Sequence, residues 1–255
     1  MTFPAVRGIR AAFVFLTRLP LGGFPYSAAE LRWSSAHFPL AGAALGLLLL
    51  GVWHLSIPLG ASVAAVLVMI AEVVATGALH EDALADTADA LGGGTDRERI
   101  FAILKDSRIG AYAAVTLVLA LLLRVLLLAS LLPAHPALIV AVLSVSRAPS
   151  VWLLATLDYV TPAATARNSA IAASGFTQAG VATAWSAIVL FILSATGAIS
   201  VLQALAMAAA AVAVGVLAGL RYKALLGGIT GDLAGATVPI SECALLLAAG
   251  LAGAG

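Results

Sequence analysis

Charge is what this chain has least of. Only 10% of its 255 residues are Asp, Glu, Lys or Arg, while 62% are hydrophobic, and the mean hydropathy is +1.10. A soluble domain is about a quarter charged and about half apolar, so a polytopic membrane protein is expected instead. The net charge is +1, which leaves no global field to draw in nucleic acid or another polyanion. There is one cysteine, Cys243, within an apolar run; a lone thiol excludes a disulfide framework and a cysteine-based metal site. No internal repeat or low-complexity linker divides the sequence, which reads as one integral membrane domain over residues 1–255. A long apolar core is also missing near the start. Arg7 and Arg10 precede only Ala11 to Leu16 before Thr17-Arg18-Leu19-Pro20 interrupts. That run is short for a signal peptide and suits an amphipathic helix at the interface, with residues 1–36 as a cytoplasmic or interfacial segment.

What is present is long apolar stretches. About 20 such residues span a bilayer as a helix. Seven stretches qualify, near Phe38–Ile57, Ala61–Leu79, Ala111–Leu132, Pro136–Leu157, Val181–Ser200, Val201–Leu220 and Ala236–Gly253. The last contains Pro239 and Glu242, so six spans is the alternative count. The fold class is all-α, a transmembrane helix bundle. Cations supply the orientation. Arg7, Arg10, Arg18 and Arg32 precede the first span; Arg97, Arg99, Lys105 and Arg108 follow the second; Arg167 follows the fourth; Arg221 and Lys223 follow the sixth. The alternate connections carry no Lys or Arg, and the positive-inside rule places the N-terminus and the charged connections in the cytoplasm. Four ionisable residues fall within spans: Glu72, Arg124, Arg147 and Glu242. Each is costly in hydrocarbon and marks either a functional site or a pair inside the bundle; pairing is expected for Arg124.

The densest chemistry lies in His80-Glu81-Asp82-Ala83-Leu84-Ala85-Asp86-Thr87-Ala88-Asp89. Read as a helical continuation of the second span, it puts Asp82, Asp86 and Asp89 at i, i+4, i+7 on one face. Like charges so placed repel, and a hard divalent cation such as Mg²⁺, with its preference for oxygen ligands, would neutralise them. The competing reading is a solvated acidic loop balanced by the nearby cations. His80 is a poorer Mg²⁺ ligand than a carboxylate and suits a hydrogen bond to carboxylate or phosphate. Gly92-Gly93-Gly94 permits a sharp turn. Two further polar sets follow. Lys105-Asp106-Ser107-Arg108-Ile109-Gly110 can hold phosphate oxygens, unless it is only the cationic flank of a span. Gly227-Gly228-Ile229-Thr230-Gly231-Asp232 is irregular backbone of the kind that lines a polar cavity at a membrane edge.

Taken together and in this order, these sets resemble the cobalamin synthase family, the adenosylcobinamide-GDP ribazoletransferases. The likeness runs through Phe15-Leu16-Thr17-Arg18-Leu19-Pro20, Phe38-Pro39-Leu40-Ala41-Gly42, Gly77-Ala78-Leu79-His80-Glu81-Asp82 to Asp89, Lys105 to Gly110, Gly227 to Asp232 and Glu242. Ala83, Ala90 and Ala113 stand where glycine is common in the family. The resemblance implies a Mg²⁺-dependent enzyme of the prokaryotic cytoplasmic (inner) membrane, its active site in a cytoplasmic Asp-rich loop over residues 80–110. It would join adenosylcobinamide-GDP to alpha-ribazole, or to its 5'-phosphate, and release GMP. Its surroundings would be membrane lipid, with a homo-oligomer or other cobalamin-pathway enzymes as candidate partners. On this reading Asp82, Asp86 and Asp89 bind metal with Glu81 alongside, and Asp106 assists. Asp89 is the first choice of base, His80, Lys105, Arg108 and Arg147 meet phosphate, and Thr230 and Asp232 order a loop or hold a second ligand.

Two rival classes stay open from sequence. A CDP-alcohol phosphotransferase also clusters Asp on membrane helices, but its pattern pairs the first Asp-Gly with an Ala-Arg, and here Ala85 is followed by Asp86. A transporter would tend to show inverted repeats with a midplane site, and none is visible.

Overall fold

The computed structural model describes residues 3–106, 108–161 and 169–253. Arg167, used in the charge argument, and Ser107, named in the Lys105 to Gly110 set, lie outside them. Thirteen α-helices are formed among the described residues. The first, α1 (Pro4–Leu16), is amphipathic and buries Gly8, Ala11, Ala12 and Leu16 while exposing Val6, with Phe3 exposed just before it. A capping box between Ser27 and Glu30 starts α2 (Ala28–Ser34), which runs through short 3-10 turns into α3 (Phe38–Ser56). Then come α4 (Ala61–Thr76), α5 (Leu79–Gly93), α6 (Arg97–Ile103) and α7 (Ala111–Leu131). The pair α8 (Leu138–Val145) and α9 (Ala148–Thr156) forms one crossing broken at Ser146–Arg147. Four helices remain: α10 (Ser169–Ala172), α11 (Phe176–Ala195), α12 (Val201–Leu226) and α13 (Gly231–Gly253).

Six of these stretches are long and apolar enough to cross a membrane, and α4 with α5 qualifies as a pair bent by 90°. The core shows how they run. One apolar cluster holds Leu49, Val68, Leu128, Leu138, Leu190, Met207 and Leu245; a second holds Leu16, Phe38, Ala90, Leu153, Ala182, Leu226 and Leu233. The crossings α3, α8–α9, α11, α12 and α13 each contribute to both clusters, whereas α4 serves the first and α5 the second. Counted as one passage, the bent pair brings the six crossings to seven. The end with the second cluster, where α1 and α5 lie, is called proximal below.

The structure extends two of the expected spans and shifts a third. α12 continues to Leu226, so Arg221 and Lys223 sit in its final turns rather than in a loop. α13 begins at Gly231 and carries Pro239 within it, and α11 begins at Phe176. One expectation is corrected. The Asp-rich block is neither a straight continuation of the second span nor a loop but a helix of its own, α5, set off from α4 by a 90° break. α4 stops where Gly77 (φ +70°) and Ala78 (φ +59°) both turn left-handed, their N–H groups donating to Val73 O. Glycine enters that region without penalty, but alanine does so at about 1–2 kcal/mol. Arg18 stabilises the break. Its N–H donates to Ala75 O at 2.8 Å, and its guanidinium covers Gly77 so closely that a Cβ there would collide with it.

Between the two clusters lies a layer of buried charge. Arg124 pairs with Glu72 at 2.6 Å, Glu242 at 2.6 Å and Glu81 at 3.2 Å, and Arg147 reaches Glu242 at 3.4 Å. The intramembrane charges do pair, as expected for Arg124. They join α4, α5, α7, α8–α9 and α13 at mid-depth.

Candidate active site

The proximal half holds a cavity of about 150 Å³ between α5, α9 and α13, whose polar lining includes His80, Asp82, Arg147, Ser150, Tyr159 and Asp232. Three features of the sequence bring these together. α5 and α13 approach closely because position 235 is glycine; a Cβ there would lie 2.7 Å from that of Ala83. Gly42 on α3 leaves room for Arg147, since a Cβ at that position would stand 2.7 Å from Arg147 Cδ. The loop before α13 is pinned by a parallel bridge, in which Ile229 N–H donates to Asp158 O at 2.8 Å and Val160 N–H to Ile229 O at 2.9 Å. That bridge sets Tyr159 beside the start of α13, its hydroxyl 3.4 Å from where a Cβ on Gly231 would be.

The cavity has two chemical sides. One is anionic. Asp82 and Asp232 both line it, and Asp86 lies within electrostatic reach of Asp82, Asp89 and Asp232. Among the described residues none of these carboxylates is in a salt bridge. The other side is cationic. Arg147 is 1% exposed. Its Nη1 donates to Leu143 O, to Ser146 Oγ and to Glu242 Oε1, while Nε and Nη2 have no partner. Both ring nitrogens of buried His80 are likewise without a partner. A buried donor left unpaired costs about 1–3 kcal/mol, so the arrangement is complete only when an acceptor, such as a phosphate oxygen, enters.

Of the residues expected from sequence, the cavity brings together His80, Asp82, Arg147 and Asp232. The rest are placed elsewhere. Asp89 receives N–H groups from Gly110 at 2.6 Å and Ala113 at 2.9 Å. It caps the start of α7, each oxygen accepting one backbone N–H. One oxygen of Glu81 is bound to Arg124, the other is buried without a partner. Thr230 caps α13, its Oγ1 accepting from Leu233 N–H at 3.3 Å. Lys105, Asp106 and Arg108 lie outside the cavity lining, on the α6–α7 connection. Hydrogen bonds from Arg108, side chain and backbone, hold the Asp106 carboxyl down at about 2. Ser150 and Tyr159 were not singled out in the sequence: a serine in a helix and a tyrosine after one carry no spacing signal, and only the fold aims them inward. Among the described residues no group of three His, Cys, Asp or Glu side chains converges as a ready metal cage.

Comparison with known proteins identifies the family. The profile of the cobalamin-5-phosphate synthase family matches residues 8–250. A protein of Azorhizobium caulinodans named adenosylcobinamide-GDP ribazoletransferase is 40% identical over 257 residues, covering 94% of this chain and 93% of its own. Proteins of the same name from a Sinorhizobium species and from Shewanella piezotolerans are 38% and 35% identical, over 91% and 92% of this chain and equal shares of their own. No solved structure matches. With the family profile spanning nearly every crossing and the cavity built from the motifs that carry the likeness, the chain belongs to the cobalamin-5-phosphate synthase family.

Proposed function

We propose that the chain is an adenosylcobinamide-GDP ribazoletransferase. It joins adenosylcobinamide-GDP to alpha-ribazole, or its 5'-phosphate, giving adenosylcobalamin, or its 5'-phosphate, and GMP. The observation that carries this reading is the two-sided cavity, with unpaired carboxylates on α5 and α13 facing an unpaired Arg147 and His80. The relatives' shared name supplies the substrates. At about 150 Å³ the cavity accepts a phosphoryl group and its immediate neighbours, so the corrinoid and the guanosine lie outside it.

In this reaction a ribazole hydroxyl attacks the phosphorus next to cobinamide. A P–O bond forms, the P–O bond to GMP breaks, and the hydroxyl proton passes to a carboxylate. Such transfers rest on positioning and charge stabilisation. Arg147 Nε and Nη2 and a His80 ring nitrogen donate to phosphate oxygens. Asp82, the most exposed carboxylate of the set, receives the proton; a carboxyl held as low as that of Asp106 is a weak proton acceptor, and Asp106 instead tethers Arg108 beside the entrance to α7.

The donors fit Mg²⁺ in kind. Asp82, Asp86 and Asp232 offer only hard oxygens and have no cationic partner. Mg²⁺ commonly uses one or two carboxylates with water and substrate phosphate, so a ready cage is not required. Bound there, it would neutralise charge on the pyrophosphate. Glu81, with one oxygen free of partners, and Asp89, whose oxygens each accept one N–H and keep a lone pair, are the other expected ligands. The active site faces the cytoplasm of a prokaryotic inner membrane in this reading, since the proximal connections carry the cations. The test is GMP release by detergent-solubilised protein given adenosylcobinamide-GDP and alpha-ribazole. Cobalamin formation is expected; release of CMP from a CDP-alcohol in its place would move the chain to the other phosphotransferase class.

A further inference from the structure

α9 has a second face. Arg147, Ser150 and Leu154 border the active-site cavity, whereas Pro149, Trp152 and Leu153 border a groove on the opposite side. The groove lies between α9, α11 and α12, opens on the outer surface of the bundle and holds about 520 Å³. It exists because α11 and α12 barely touch along their lengths, while small residues on α12, Ala211, Gly215 and Gly219, leave its floor low against α9.

The lining is graded. Lys223, in the last turn of α12 at the proximal end, is its one ionisable residue among the described residues. Trp152 and Thr183 satisfy each other, Nε1 donating to Oγ1 at 2.8 Å, and the remainder is mostly aliphatic. From Ala208 to Lys223 the groove follows α12, a rise of about 22 Å at ~1.5 Å per residue. One leaflet of a bilayer core is about 15 Å deep, half of ~30 Å, so the groove has the length of one acyl chain plus the start of a headgroup. A partner helix is about 10 Å across and, laid along the same length, would displace roughly three times the volume the groove holds. The charge of Lys223 at its mouth suits an anionic headgroup over an uncharged tail.

We propose that this groove binds one anionic phospholipid of the proximal leaflet, its acyl chain lying along Gly215 and Gly219 and its phosphate on Lys223. The chain then backs α9, which supports the wall of the active-site cavity. Binding does not depend on the reaction assigned above and is read independently of it. The test is native mass spectrometry of the full chain in mild detergent with equal amounts of phosphatidylglycerol and phosphatidylcholine of identical chains. Wild type should retain one phosphatidylglycerol per chain in preference. Lys223→Gln should lose that preference about fivefold, the worth of one cation at an anionic surface, and Gly215→Leu, which fills the floor, should retain neither lipid. Equal retention of both lipids by wild type, or unaltered binding in Lys223→Gln, overturns the proposal, as does a lipid-free dimer that Gly215→Leu splits. Lys223 is exposed at a helix end, so its variant tests the idea even if Gly215→Leu fails to fold.

Discussion

Asp82 and Asp232 come from opposite ends of the sequence and meet in one cavity. Their amides should therefore fail alike. Asp82→Asn and Asp232→Asn are expected to lower kcat by about 10²-fold or more, the scale of losing one well-aimed electrostatic group, without lowering the thermal unfolding temperature. Arg147→Lys keeps a charge but loses the free Nε and Nη2. A loss in kcat and kcat/KM together would mark contacts made in the transition state; an effect on KM alone would mark uniform binding. The candidates were legible in the sequence, Arg147 as an ionisable residue in an apolar span, His80 and Asp82 as members of the Asp-rich block; that they line one cavity was not. Nor was the task of Asp89. Its helical register matches that of Asp82 and Asp86, and only the approach of Gly110 and Ala113 turns it into the cap of α7. Asp106 is set apart by a different cause. Its carboxyl, held at about 2 by Arg108, is ionised throughout the working range. The sign is that of a depressed acid: its charge is present above the ordinary carboxylate range and lost only as pH falls toward 2. Asp106→Asn is accordingly expected to leave both limbs of the pH–rate profile between pH 5 and 9 in place.

At the scale of elements, the break between α4 and α5 aims the carboxylates. Ala78 adopts a left-handed conformation that glycine takes freely, so Ala78→Gly should stabilise the fold by up to about 1 kcal/mol. Gly77→Ala should destabilise it by at least as much, because the new Cβ meets Arg18 as well as the backbone penalty; thermal unfolding in detergent measures both. The bend was hidden in the sequence because an apolar run passing into an amphipathic one resembles a single long helix, and Gly77 is an ordinary small residue until its φ is known. The charged layer is the second element-scale device. Arg124→Leu strands three buried glutamates, and removing one partner of such a network costs about 3–5 kcal/mol. The identities of the charges were plain in the sequence; their partners were not, because the pairs join residues 43 and 52 positions apart.

For the whole molecule, the helices give six crossings, or seven with the bent pair counted as one, and the apolar stretches predicted seven with six as the alternative. The count held because hydrophobic length is dictated by the bilayer, whereas the ends of α11, α12 and α13 moved because capping and packing fix termini. In a Cys243→Ser background, a cysteine at Thr95 should be labelled only from the cytoplasmic side and one at Gly197 only from the opposite side; the reverse pattern would turn the molecule over. The claim on which the rest depends is that the cavity between α5 and α13 performs phosphoryl transfer. It is tested most directly by single-turnover GMP release from adenosylcobinamide-GDP and alpha-ribazole, with and without Mg²⁺, using wild type, Asp82→Asn and Asp232→Asn. The account predicts Mg²⁺-dependent release by wild type and near-silence from both folded variants; release at the wild-type rate by either variant would contradict it.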